Sequence, residues 1–128
     1  MKAQKSRSCI FLAVTAVGMS LLVSNPLIAA PTLDGLMPMY VGMANSLGGV
    51  QVCGNKNVAV VRQQDMRLIK ESGLTLADQN EMVRVFNLSY DDAVDYYTKT
   101  PIARDCERFS EEVVPMTEED MVMWNKYN

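Results

Sequence analysis

Cys53 and Cys106 have the most chemistry to offer in this chain, and their spacing of 53 positions decides which chemistry that is. A redox-active pair is expected as Cys-x-x-Cys, which is absent. A distant, even pair in a small domain reads instead as a structural disulfide, provided the compartment is oxidising. Closing a loop of about 53 residues is worth near 4 kcal/mol in the chain-entropy account. That is comparable to the whole net stability of a small domain.

Other reactive constellations are scarce. The chain has no histidine, which removes the usual general base, the Ser-His and Cys-His nucleophile pairs and the common zinc sites. Carboxylates gather at Asp91-Asp92-Asp95, Glu111-Glu112 and Glu118-Glu119-Asp120. They fall at helix starts or on polar faces, where acids serve caps and solubility. Gly48-Gly49 and Gly54 lack the spacing and the lysine of a phosphate loop, and no acidic run has the order of a calcium loop. No catalytic residue, metal site or cofactor is therefore expected, and a non-enzyme is the reading.

Methionine and tyrosine remain. Met37, Met39 and Met43 lie early, and Met116, Met121 and Met123 lie late, beside Trp124. Thioethers are soft ligands for Cu(I), so a periplasmic copper carrier is one alternative function. Flexible methionines also fill helical cores and line adaptable surfaces, and Met37 and Met39 point in different directions on a helix. Adjacent Tyr96 and Tyr97 cannot both face one core, since neighbouring helical residues are about 100° apart. The outward one, with Asp91, Asp92 and Asp95 close by, is the expected partner-binding patch.

The elements that must position these residues read as helices. Thr75-Leu76-Ala77-Asp78, Ser89-Tyr90-Asp91-Asp92 and Thr117-Glu118-Glu119-Asp120 each place a hydroxyl three residues before a carboxylate, as in a capping box. Thr100-Pro101 adds a fourth start, with proline in the first helical position. Apolar residues at Leu36, Tyr40, Met43, Leu47 and Val50 step by three and four, predicting a helix from about Leu36 to Val52. Pro38 then falls in its first turn, and Gly48-Gly49 could end it early. Val58, Val61 and Leu68 share a face of a second helix, about Val58 to Ser72, closed by Gly73 as a left-handed cap. Met82, Val83, Phe86, Tyr90, Val94 and Tyr97 mark a third helical region, split near Asn87 by the second box. Ile102, Cys106, Phe109 and Val113 step four, three, four, which turns Cys106 inward on the next helix. Pro115 closes that helix, and a short last one carries Met121 and Trp124. The expected fold is all-α: a small disulfide-stapled bundle of four to five helices, with the first helix stapled to the fourth.

Compartment follows from the N-terminus. Lys2, Lys5 and Arg7 precede an uncharged run from Cys9 to Val23, then Pro26 and the small-residue junction Leu27-Ile28-Ala29-Ala30. These are the parts of a secretory signal peptide, and a run of about 15 residues is short of a transmembrane span. Residues 1–29 are read as the cleaved signal, with the cut between Ala29 and Ala30, and 30–128 as one domain that is periplasmic or secreted. Loss of the three signal cations leaves 9 basic against 15 acidic residues, a net charge of about −6. Such a domain repels nucleic acid and anionic membrane surfaces, and no membrane insertion is expected after processing.

With the helices and the staple placed, the pattern from Leu36 to Phe109 resembles the small helical pilotins of type II secretion. In that family a first helix ends at a cysteine, and a second helix and a Gly-terminated turn follow. A Tyr-bearing helix then leads to a "Pro…Cys…Phe" segment that closes the staple. The matching positions are Cys53, Gly73, Tyr90 or Tyr97, Pro101, Cys106 and Phe109. Pilotins are typically lipoproteins, and this signal has no lipid-acceptor cysteine. The resemblance implies the fold and a link to a secretion system. The functional expectation is an exported, non-enzymatic accessory or chaperone of the bacterial envelope that binds another protein. An immunity protein against a secreted toxin is a second binding-class alternative, since acidic surfaces suit basic partners.

Overall fold

The computed structural model describes residues 30–128; the expected signal, 1–29, lies outside the described residues. Within them the chain forms α1 (Leu33–Val52), α2 (Val58–Lys70), α3 (Leu76–Lys99), a 3-10 turn (Pro101–Ala103), α4 (Cys106–Glu112) and α5 (Glu118–Tyr127). The fold is all-α, as the apolar spacing predicts. Among the described residues no helix is long and apolar enough to cross a membrane.

Side-chain caps set most of the helix starts. Thr32 accepts from the Gly35 N–H at 3.1 Å, so α1 begins three residues earlier than its apolar stripe predicts. Pro38 therefore sits in the second turn rather than the first, and Asp34 loses the intrahelical donor its carbonyl would have had. Thr75 caps α3, and Thr117 with Asp120 forms a reciprocal capping box at α5. Gly73 carries φ +88° in the turn after α2, the left-handed conformation expected of it. The helix itself stops at Lys70, two residues before the predicted Ser72.

The first helix runs to the predicted Val52, and three local start or stop signals do not act as helix ends, the first two because packing overrides them. Gly48-Gly49 does not end α1. Both glycines are buried, and a Cβ on Gly48 would lie 2.6 Å from Ala93 Cβ and 2.9 Å from the Tyr90 carbonyl oxygen. A Cβ on Gly49 would lie 2.6 Å from the Phe109 ring. They are small because α3 and α4 pass against them, making α1–α3 the most extensive helix pair. Ser89 does not restart a helix either; the inward series Met82, Phe86, Tyr90, Ala93 continues unbroken through α3. Thr100-Pro101 opens only the three-residue 3-10 turn, and Asp105, accepting from Arg108 N–H at 3.1 Å, caps α4.

The core gathers Leu36, Tyr40, Leu47 and Val50 of α1, Leu68 and Ile69 of α2, Met82 and Phe86 of α3, and Phe109, Val113 and Met121. Cys53 and Cys106 are bonded, with Cα atoms 5.7 Å apart, and staple the end of α1 to the start of α4. The location differs from expectation. Cys106 is exposed rather than inward, and Ile102 is 96% exposed. The 3-10 turn takes Ile102 out of phase with α4, and Cys106 is the first residue of that seven-residue helix, where its side chain stays at the surface, so only Phe109 and Val113 reach the core.

Candidate functional site

The predicted patch on α3 is only partly assembled. Tyr96 is the outward tyrosine, 53% exposed, while Tyr97 packs edge-on against Phe109 with ring centroids 5.0 Å apart. Tyr96 stands edge-on to Tyr97 at 5.1 Å, which ties the exposed ring to the core through one intermediary. Asp91, Asp92 and Asp95 are all exposed, and Asp95 pairs with Lys99 at 2.9 Å. Together they form an exposed face of α3.

A concave site lies elsewhere, and sequence reasoning missed its central residue. A cleft of about 430 Å³ opens between α1, α2 and the segment that leads from α4 to α5. Met39, Gly42, Met43 and Ser46 line it from α1 at the spacing of one helix face. Val61 and Asp65 line it from α2, one turn apart. Glu112, Val113, Val114 and Met116 form the third wall, and Trp124 of α5 closes an end. Of the two methionine groups, the fold thus brings Met39, Met43 and Met116 to one place. Met121 is buried in the core, Met37 packs against it, and Met123 is 45% exposed.

The third wall is held by side chains rather than by a helix. The Gln64 side-chain amide donates to the Met116 carbonyl and accepts from the Met116 N–H, each at 2.8 Å. This two-bond clasp mimics a backbone pair and fixes the 113–116 strap on α2. Arg67 bridges Glu71, which caps the C-terminus of α2, and Glu118 at the start of α5, which holds the next helix in line. These exposed pairs contribute little stability individually, but they define where the strap runs.

At the cleft's base the polar accounting does not close. Asp65 is 2% exposed, and among the described residues its carboxyl takes part in no ion pair or hydrogen bond. Burial pushes its pKa up to about 7, because removal from water disfavours the charged form. Beside it, the Tyr40 hydroxyl and the Trp124 Nε1 are buried without a hydrogen-bond partner. The two lie near each other but outside bonding geometry. Burial raises the Tyr40 pKa, and the Asp65 charge adds to that, while the nearby Trp124 N–H opposes it. Buried polar groups are nearly always satisfied, so this concentration marks the cleft floor as the unusual place in the domain. The remaining orphan among the described residues is Arg104 Nε, in the turn before α4.

Asp65 was detectable in the sequence. Val58, Val61, Asp65 and Leu68 step by three, four and three, so the acid stands on the inward stripe of α2. A carboxylate on a core-facing stripe is the signal that deserved reading as a site. Comparison with protein-family models, with curated proteins and with solved structures finds no match for this chain.

Proposed function

We propose that this chain is an exported, non-enzymatic accessory protein of the bacterial envelope that binds another protein through the cleft of Met39, Met43, Met116 and Trp124. The observation that carries this reading is the cleft itself: adaptable thioether walls beside an indole whose buried N–H is unsatisfied, with the buried Asp65 carboxyl in the lining. Methionine-lined grooves repack around a partner's side chains, and a central aromatic supplies the anchor that interfaces favour. The disulfide supports an oxidising, periplasmic or secreted location. The link to a secretion system belongs to the proposal and rests on the pilotin-like pattern. Photo-crosslinkers placed at Gly42, in the cleft, and at Tyr96, on the exposed face of α3, test it in the native envelope. One defined adduct from position 42 is expected, lost when Met43 is changed to Glu. No adduct from either position overturns the reading, and an adduct from 96 alone moves the interface to the tyrosine face.

A second reading has its own observation. Three thioethers, Met39, Met43 and Met116, line one cleft beside Trp124, and soft sulfur ligands with an aromatic face suit Cu(I). Titration with Cu(I) against a chromogenic chelator tests it. Binding abolished by Met43→Leu supports a copper carrier, and chelator-limited Cu(I) that never transfers removes it.

A further inference from the structure

A buried carboxyl without an ion-pair partner among the described residues calls for one from outside. Asp65 is almost fully buried in the cleft lining, and among the described residues no cation pairs with it. Ionised, it has no cation within ion-pair distance among the described residues. Glu112 brings a second carboxylate to the cleft lining, where it accepts from the Ser46 hydroxyl at 3.1 Å. Among the described residues no lysine or arginine lines the cleft. The site's field therefore repels anions and attracts cations. Its walls are apolar and long enough for a hydrocarbon stem, with the Trp124 ring available to a positive head.

We propose that the cleft binds a primary ammonium group on a short apolar stem, the chemistry of a lysine side chain presented by the partner protein, with Asp65 as its counter-charge. The lysine source rests on the protein-binding reading above; the ammonium chemistry does not. An ammonium suits the site better than a guanidinium, because one buried carboxylate offers a point charge and no paired fork. Thioether walls then cover the methylenes, much as lysine stems lie along apolar surface in general. The groups facing Asp65 are Tyr40 from α1, which stays neutral because burial raises its pKa, and Glu112 from α4, a carboxylate. Neither competes as a cation. Binding should tighten as pH rises from 5.5 to 8.5 and Asp65 ionises, while a lysine-type amine keeps its proton.

Trp124 is the sole tryptophan of the chain and lines the cleft, so its emission reports occupancy directly. The protein purified from the envelope is titrated at pH 8.5 with n-hexylamine, n-hexanol and hexanoate. Saturable binding of hexylammonium is expected, at least tenfold tighter than hexanol, with hexanoate inert. Asp65→Asn should weaken the amine tenfold or more and leave hexanol unchanged. Gly42→Leu should block all binding without unfolding the protein, since open space surrounds a Cβ at that position. Equal affinity for hexylammonium and hexanol, or an Asp65→Asn variant that binds the amine normally, overturns the proposal. A second arm uses lysine capped at both backbone ends. Its binding supports the protein side-chain source. Its failure while hexylammonium still binds upholds the ammonium site and overturns the lysine source.

Discussion

Two flanks of α1 are built to opposite rules. Toward α3 and α4 the helix presents Gly48 and Gly49, and its neighbours come within contact distance of the bare backbone. Phe109 and Tyr97 stack edge-on beyond that seam, and the disulfide locks its end. Toward α2 and the strap the same helix presents Met39, Gly42 and Met43, and the neighbours stand back to leave a cleft. A Cβ on Gly42 meets nothing within 4 Å. The closed flank fills its space; the cleft flank leaves volume unfilled, buries Asp65 without an ion pair among the described residues, and leaves the Tyr40 hydroxyl and Trp124 Nε1 unsatisfied. Proteins tolerate such deficits where something else is gained, and binding is the gain proposed for this one.

The largest effect is expected at the closed flank's staple. Reducing the disulfide, or replacing Cys106 by Ser, should lower stability by about 2–5 kcal/mol, measured by urea denaturation of the oxidised and mutant proteins. Two free thiols in the freshly isolated native protein would contradict the staple itself.

Next comes Asp65, whose effect depends on pH with a definite sign. Its carboxyl binds a proton more tightly folded than unfolded, so its contribution is greatest below pH 4 and is lost as pH rises through about 7. A shift of this size corresponds to roughly 4 kcal/mol across that window. Glu81 and Glu118, held below their usual range by hydrogen bonds from Arg84 and Arg67, act in the opposite direction, and only at lower pH. Asp65→Asn should flatten the fall between pH 4 and 8 and stabilise the protein at pH 8 by about 2 kcal/mol. An unchanged pH profile would place Asp65 in water and remove the special character of the cleft floor.

The smallest and sharpest contrast uses two glycines of one helix. Gly48→Ala should destabilise by about 1–3 kcal/mol, because the new methyl pushes α3 away. Gly42→Ala should stabilise by about 0.5–1 kcal/mol, because a helix gains propensity where nothing is displaced. Thermal melts of the two variants test the comparison. Equal signs would mean that the two flanks are packed alike.

The closed flank was largely legible in the sequence, and the cleft was not. Regular apolar steps at Leu36, Tyr40 and Leu47 and at Met82, Phe86 and Tyr90 predict the core faces, and Thr75, Gly73 and Thr117 predict the ends. Such features are local, with causes within one turn of the chain. Gly48-Gly49 looked like a stop because local propensity cannot show that another helix passes against it. One apolar phase does not carry Ile102 inward because a Pro-initiated 3-10 turn resets it, and Cys106 stays outside because it opens the short helix that follows. The cleft depends on distant residues, above all the Gln64–Met116 clasp spanning 52 positions. No single stretch of sequence contains it, although Asp65 on the inward stripe of α2 carries its trace.

The most direct measurement is the Asp65 carboxyl pKa, read by carbon-13 NMR without and with saturating hexylammonium. A value of about 7 is expected in the free protein, falling by a unit or more when the cation binds, because an adjacent positive charge favours the carboxylate. A free-protein value near 4, or one that the bound amine leaves unmoved, would contradict the account of Asp65 as a buried carboxyl awaiting a cationic partner.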